Sequence, residues 1–212
     1  AIRAAIDERT PGAPAIGFAA IALGKQGSHE LNYSSDIDPI LLFDPATLPC
    51  RPRETPDDAA VRTGRRVIEL LQTRDGHGYV LRVDLRLRPS PEITPIVLRI
   101  GAAIAYYESQ ALAWERAAFI RARAAAGDIA LGGRFLAAVR PFVWRRTLDF
   151  GAIRDIRSIS RRIRDHHAQG QLFGPGYDLK RGRGGIREVE VFAHIHQLIH
   201  GGRDSSVRSG AT

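Results

Sequence analysis

The chain lacks most of what would tie it to a membrane, a disulfide scaffold or a repeat architecture. Its longest apolar stretch, residues 17–23, has the length of a strand. That falls well short of the roughly 18 residues that span a bilayer, and no charged-then-apolar signal segment is read at its start. Cys50 is the single cysteine, so no internal disulfide can form; a reducing cytoplasm and an inert thiol are expected. Lysine is nearly missing too. Of 31 basic residues only Lys25 and Lys180 are lysines, so the net charge of +8 rests on arginine, whose planar fork suits phosphate and carboxylate. Most of these arginines are expected on solvated helix faces, and basic charge alone is weak ground for a nucleic-acid partner. Methionine is absent, initiator included, and residues 205–212 read as a ragged end. A piece of a longer protein is expected.

What is present reads as α+β: a small mixed-sheet domain over residues 1–98, then an all-α helical domain over 99–212. Residues 1–9 are helical in composition and stop at Pro11-Gly12. Residues 17–23 read as a buried strand, residues 25–35 as a polar, glycine-marked segment, and residues 37–43 as a second strand. Four prolines, Pro45, Pro49, Pro52 and Pro56, mark a surface loop, after which Asp57 or Asp58 can cap a helix. Residues 79–88 predict a third strand. Leu81, Val83, Leu85 and Leu87 alternate there with Arg82, Asp84, Arg86 and Arg88, giving one apolar and one polar face. Beyond Pro91 the composition turns helical. Ile104, Tyr107, Ala111, Trp114 and Ala118 fall at helical spacing, as do Ile153, Ile156, Ile159 and Ile163, and both stripes read as core packing. Residues 170–185 form a basic glycine-rich loop before a last helix over 186–200.

Chemistry concentrates at Asp36 and Asp38, which flank Ile37 and therefore share one face of a strand. Two such close carboxylates repel when ionised unless a cation lies between them. With Asp84 from another strand they make an oxygen-rich set suited to magnesium. Upstream, Gly27-Ser28 supplies a turn whose backbone N–H groups can hold a phosphate. That order of parts fits phosphoryl transfer assisted by metal. Lys180, Arg181 and Arg183 in the glycine-rich loop suit an anion, since Gly184-Gly185 leads into a helix N-terminus. Glu188 offers the competing account, because it can cap those donors itself. His196 and His200 stand one helical turn apart, as zinc ligands do, but lack a third ligand and read as a solvated face.

The string LGKQGSHELNYSSDID at residues 23–38 resembles the signature of the glutamine synthetase adenylyltransferase and adenylyl-removing enzymes. RVDLRLRP at 82–89 resembles a second signature of that family, and YYE at 106–108 with WER at 114–116 and RAR at 121–123 a third. The resemblance runs through nearly the whole chain. It implies the DNA-polymerase-β-like nucleotidyltransferase fold, with Asp36, Asp38 and Asp84 as catalytic residues holding Mg²⁺ or Mn²⁺. Gly27, Ser28, Arg86 and Arg88, with Lys180 and Arg183, are then candidates for nucleotide or phosphate, and Arg82 for the same anions. FVWRR at 142–146, LDFG at 148–151 and KRGRGGIREVE at 180–190 resemble the half that removes AMP. This implies phosphorolysis of an AMP-tyrosine ester on glutamine synthetase to release ADP, with the PII signalling protein, ATP, ADP, phosphate and the remainder of a longer chain as partners. Three rivals are ATP-dependent adenylylation of the same tyrosine, a catalytically silent module binding glutamine synthetase or PII, and an RNA-directed nucleotidyltransferase. The family usually has Leu, Gly and Arg where this chain has Gln26, Ser28 and His29, and glutamines at His194 and His196. Its aliphatic residue is replaced here by Pro39, which removes a strand N–H beside Asp38 and is expected to displace that carboxylate.

Overall fold

Small side chains let layers close on both sides of β1 (Phe18–Ala22), and this alanine-rich strand lies inside the sheet. The computed structural model describes residues 1–112, 114–146, 151, 154, 158, 174–180 and 182–210. The described strands form a mixed sheet in the order β3-β2-β1-β4. β2 (Pro39–Phe43) runs antiparallel to β1, with Phe18 opposite Phe43 and Ala22 opposite Pro39. β3 (Val97–Arg99) is parallel to β2, and β4 (Arg123–Gly127) is antiparallel to β1 at the other edge. Between Ala20 and Ile21 the β1/β4 register shifts by a residue, and Ala125 is left over as a bulge.

Period-2 alternation decides which residues meet which layer. Phe18, Leu41, Phe43 and Val97 share a buried cluster with Ile2, Ala5 and Ile6 of helix α1 (Ile2–Arg9) and with Ala59, Ala60 and Val67 of α3 (Pro56–Gln72). A short turn, α2 (Gly24–Gly27), follows β1. The opposite face carries Ile21 and Ala124. Gly132 of α6 (Ile129–Val143) approaches these so closely that a Cβ there would come within 2.7 Å of the Ala124 methyl. Tyr107 of α4 (Ile100–Ser109) then meets Phe135 of α6 edge to face, ring centroids 5.9 Å apart.

Two compact units emerge: Ala1–Ala111 with Arg121–Arg140, and Leu112–Ile120 with Pro141–Gly210. In the second, α5 (Glu115–Phe119) packs against α7 (Ile186–His200). Arg116 stacks on Phe142 and Arg208 on Trp144. No described helix is long and apolar enough to cross a membrane.

Residues 79–88 do not form a strand: only Val83 bridges, to Ile37. The Asp84 carboxylate accepts the Arg86 N–H at 2.9 Å, and the Arg88 N–H turns back to the Leu85 carbonyl at 3.2 Å, so the donors of a ladder are spent locally. Residues beyond 91 are not uniformly helical, since β3 and β4 lie among them. The stripe from Ile104 to Ala118 is divided between α4 and α5, and the stripe from Ile153 to Ile163 lies outside the described residues. Thr55, not Asp57 or Asp58, caps α3: its hydroxyl accepts the Asp58 N–H at 3.2 Å, with Pro56 pre-set for the first helical position. Asp57 pairs instead with Arg99.

Candidate active site

The site is organised by one parallel bridge. The Ile37 N–H donates to the Arg82 carbonyl at 2.9 Å, and the Asp84 N–H to the Ile37 carbonyl at 2.8 Å. Ile37 and Val83 face inward, where they line an apolar cavity of about 240 Å³ with Ala20, Leu41 and Leu71. Their neighbours must face the other way. By this alternation Asp36, Asp38, Arg82 and Asp84 turn to the opposite side, that of Ile40 and Leu42 in β2. The register sets Arg82 beside Asp36 and Asp84 beside Asp38. Pro39 opens β2, the place in a strand that tolerates proline.

Arginines answer the carboxylates. Arg82 donates to Asp36, to the hydroxyl and carbonyl of Ser34 and to the Tyr79 hydroxyl, and its guanidinium lies 5.5 Å from the Tyr79 ring centre. Arg86 Nε lies 2.9 and 2.8 Å from the two Asp84 oxygens, and its terminal nitrogen also reaches Oδ2. This contact holds the Asp84 carboxyl below the usual carboxylate range, outweighing the partial burial that pushes the other way. Asp84 in turn keeps Arg86 more firmly protonated, with Asp38 and Asp36 adding to the field. Among the described residues no three metal-binding side chains are already gathered as a ligand cage. The carboxylates share a face, but the fork of an arginine covers Asp84 and another grips Asp36.

The expected phosphate turn is built differently. The Gly27 and Ser28 N–H groups donate to the Leu23 and Gly24 carbonyls at 3.2 and 3.4 Å, so the turn itself uses both. The Ser28 hydroxyl sits 2.9 Å from the Glu30 carboxylate. Gly27 is required by packing, because a Cβ there would lie 1.8 Å from the Arg121 carbonyl oxygen. Arg123 on β4 clamps the turn from its carbonyl end, donating to Gln26 O at 3.0 Å and Gly27 O at 3.2 Å. Sequence reading gave Arg123 no role at the site. Only the pairing of β4 with β1 brings it there, although its place in the RAR string at 121–123 was a signal. Arg88 points at backbone carbonyls of Leu85, Pro91 and Thr94, at 2.9, 2.7 and 3.4 Å, and ties the loop after Asp84.

In the second unit Lys180 and Arg183 are exposed, and Arg181 lies outside the described residues. The Gly184 N–H donates to the Glu188 carboxylate at 2.8 Å, so Glu188 caps this turn as its position allowed. His196 and His200 stack with ring centres 6.1 Å apart on an exposed helix face.

Residues 3–138 match the family model of glutamate-ammonia ligase adenylyltransferase, and residues 151–210 match that of GlnD PII-uridylyltransferase. Curated relatives include proteins of Caulobacter vibrioides, Rhizobium meliloti and Xanthobacter autotrophicus, each named bifunctional glutamine synthetase adenylyltransferase/adenylyl-removing enzyme. They are 51, 48 and 48% identical over 94, 92 and 94% of this chain. The chain spans about 20% of the length of each.

Proposed function

Because the chain belongs to the glutamate-ammonia ligase adenylyltransferase family, we propose that Asp36, Asp38 and Asp84 form a nucleotidyl-transfer site that removes AMP from an adenylylated tyrosine of glutamine synthetase by phosphorolysis. The observation that carries this reading is the Ile37–Val83 bridge, which puts the carboxylates on one face beside a clamped turn. Their oxygen chemistry fits Mg²⁺ or Mn²⁺, and these residues would hold it. When bound, such an ion neutralises phosphoryl oxygens and makes the attacking group more nucleophilic.

In the reaction an oxygen of inorganic phosphate forms a bond to the α-phosphorus. The bond from that phosphorus to the tyrosine oxygen breaks, leaving ADP and a phenolate that takes up a proton. A phenol of pKa about 10 is a workable leaving group. Arg86, its side chain 86% exposed, has room to turn toward the anion, whereas Arg82 is committed to positioning Asp36 and the Ser34 backbone. The direction rests on residues 180–190, which resemble the removing half; Lys180 and Arg183 there would recruit phosphate.

The test is to incubate adenylylated glutamine synthetase with the intact protein, divalent cation and phosphate, and to identify the nucleotide released. Phosphate-dependent ADP is expected. Pyrophosphate formed from ATP would assign the opposite direction, and full activity in Asp38→Asn would remove the assignment of the site. A second reading is favoured by the match of residues 151–210: the second unit recognises the PII signalling protein. Retention of PII from a defined mixture, lost when Lys180 and Arg183 are changed to Gln, is the expected result.

A further inference from the structure

Arg86 engages both oxygens of Asp84 with three hydrogens, its single Nε–H being shared between them. Oδ1 accepts the Arg86 backbone N–H at 2.9 Å and Nε at 2.9 Å, while Oδ2 accepts Nε at 2.8 Å and a terminal guanidinium nitrogen. The carboxylate offers about four lone-pair sites, so a cation that takes both oxygens of Asp84 must displace the guanidinium. Asp84 itself is fixed: its side chain is only 15% exposed, its N–H is held by Ile37, and the Arg86 backbone N–H aims its carboxylate. The Arg86 side chain is the mobile partner, because it projects into solvent and touches Asp84 only through its head.

We propose that Arg86 and a divalent cation exchange on the oxygens of Asp84, so that loading the cation frees Arg86 to hold the phosphate of the substrate. This rests on the reading of Asp84 as a cation ligand given above. On leaving Asp84 the guanidinium stays tethered two residues away, within the field of Asp36 and Asp38, and cannot drift from the site. A free Arg86 would cost the site one carboxylate contact and gain an anion to neutralise. The bond from the Arg86 backbone N–H to Oδ1 can persist throughout, so the carboxylate keeps its aim while its counter-ion changes. The proposal makes two binding events reciprocal: cation should raise phosphate affinity, and phosphate should raise cation affinity.

Mn²⁺ binding to the intact protein, followed by its paramagnetic resonance signal at physiological salt, tests the exchange, with Asp84→Asn as the blank that isolates the cation held by Asp84. Arg86→Gln should bind Mn²⁺ about two- to fivefold more tightly, the scale of an exposed ion pair. Arg86→Lys keeps the charge but loses the fork, and it too should bind more tightly than the parent. Inorganic phosphate, titrated with and without Mn²⁺, should gain affinity from the cation in the parent and gain less in Arg86→Gln. If Arg86→Gln binds more tightly while Arg86→Lys equals the parent, simple charge repulsion accounts for the effect and the exchange is overturned. If neither variant changes Mn²⁺ affinity while Asp84→Asn abolishes it, the exchange is wrong and the cation ligand stands. If Asp84→Asn binds Mn²⁺ as the parent does, both readings fall together.

Discussion

Asp128 joins two ends of the first unit, and its removal should be costly. Its Oδ2 accepts the Gly17 N–H at 3.0 Å, just before β1, and its Oδ1 accepts the Leu131 N–H at 2.9 Å, in the first turn of α6. The Asp128 N–H donates in turn to the Phe18 carbonyl at 2.8 Å, which fixes the carboxylate where the sheet and the helix meet. Losing an N-cap acceptor costs about 1 kcal/mol. Losing a charged acceptor for the part-buried Gly17 N–H adds roughly 1.5–3 kcal/mol. Asp128→Ala should therefore destabilise by about 2.5–4 kcal/mol, and Asp128→Asn by about half of that, because the amide oxygen can keep the cap but not both donors. The bonds to Gly17 and then Leu131 hold the Asp128 carboxyl below its ordinary value. A depressed folded-state pKa means that the charge-dependent stability is present above the unfolded value of about 3.9 and is lost as pH falls through the folded value. The gap between parent and Asp128→Asn should thus begin to narrow as pH falls below about 4 and go on closing through the lower folded-state value. Urea denaturation at pH 7 and pH 3 measures this, with amide exchange at Gly17 and Leu131 as a local readout. An Asp128→Ala protein within about 0.5 kcal/mol of the parent, the ordinary range of surface substitutions, would refute the reasoning.

Other outcomes follow from the same geometry. Gly27→Ala places a methyl 1.8 Å from the Arg121 carbonyl oxygen, so about 1–3 kcal/mol of overpacking and a displaced α2 turn are expected; unchanged thermal unfolding and activity would contradict it. Arg88→Ala should lower stability by roughly 1–3 kcal/mol through its lost bonds to Leu85 and Pro91, with little direct effect on the phosphate KM. A raised KM at unchanged stability would return Arg88 to anion binding. Asp38→Asn should lose at least about a hundredfold in kcat, on the scale of removing an electrostatic transition-state contact, while its circular dichroism and unfolding midpoint stay near those of the parent.

Local pattern alone determined several parts of this protein. Residues 17–23 are uniformly apolar and yielded β1; residues 39–43 of the expected second strand became β2; and residues 186–200 became α7. These features depend on neighbours in the chain, where side-chain period and burial speak directly. Residues 81–88 show where that reasoning stops. Their alternation is as regular as any here, yet the Asp84 side chain captures the Arg86 N–H and the ladder ends after one bridge. Hydrophobic pattern reports which face is buried but not where backbone donors go. Residues 123–127, read as helical, are alanine-rich and become β4 only because β1 offers an unpaired edge. That pairing also delivers Arg123 to the α2 turn across more than ninety intervening residues, a distance no motif spacing encodes. The glycine at position 27 was legible as a turn residue, but its reason was not. The carbonyl of Arg121 that forbids a side chain there belongs to a distant segment, and only the tertiary structure brings it into contact.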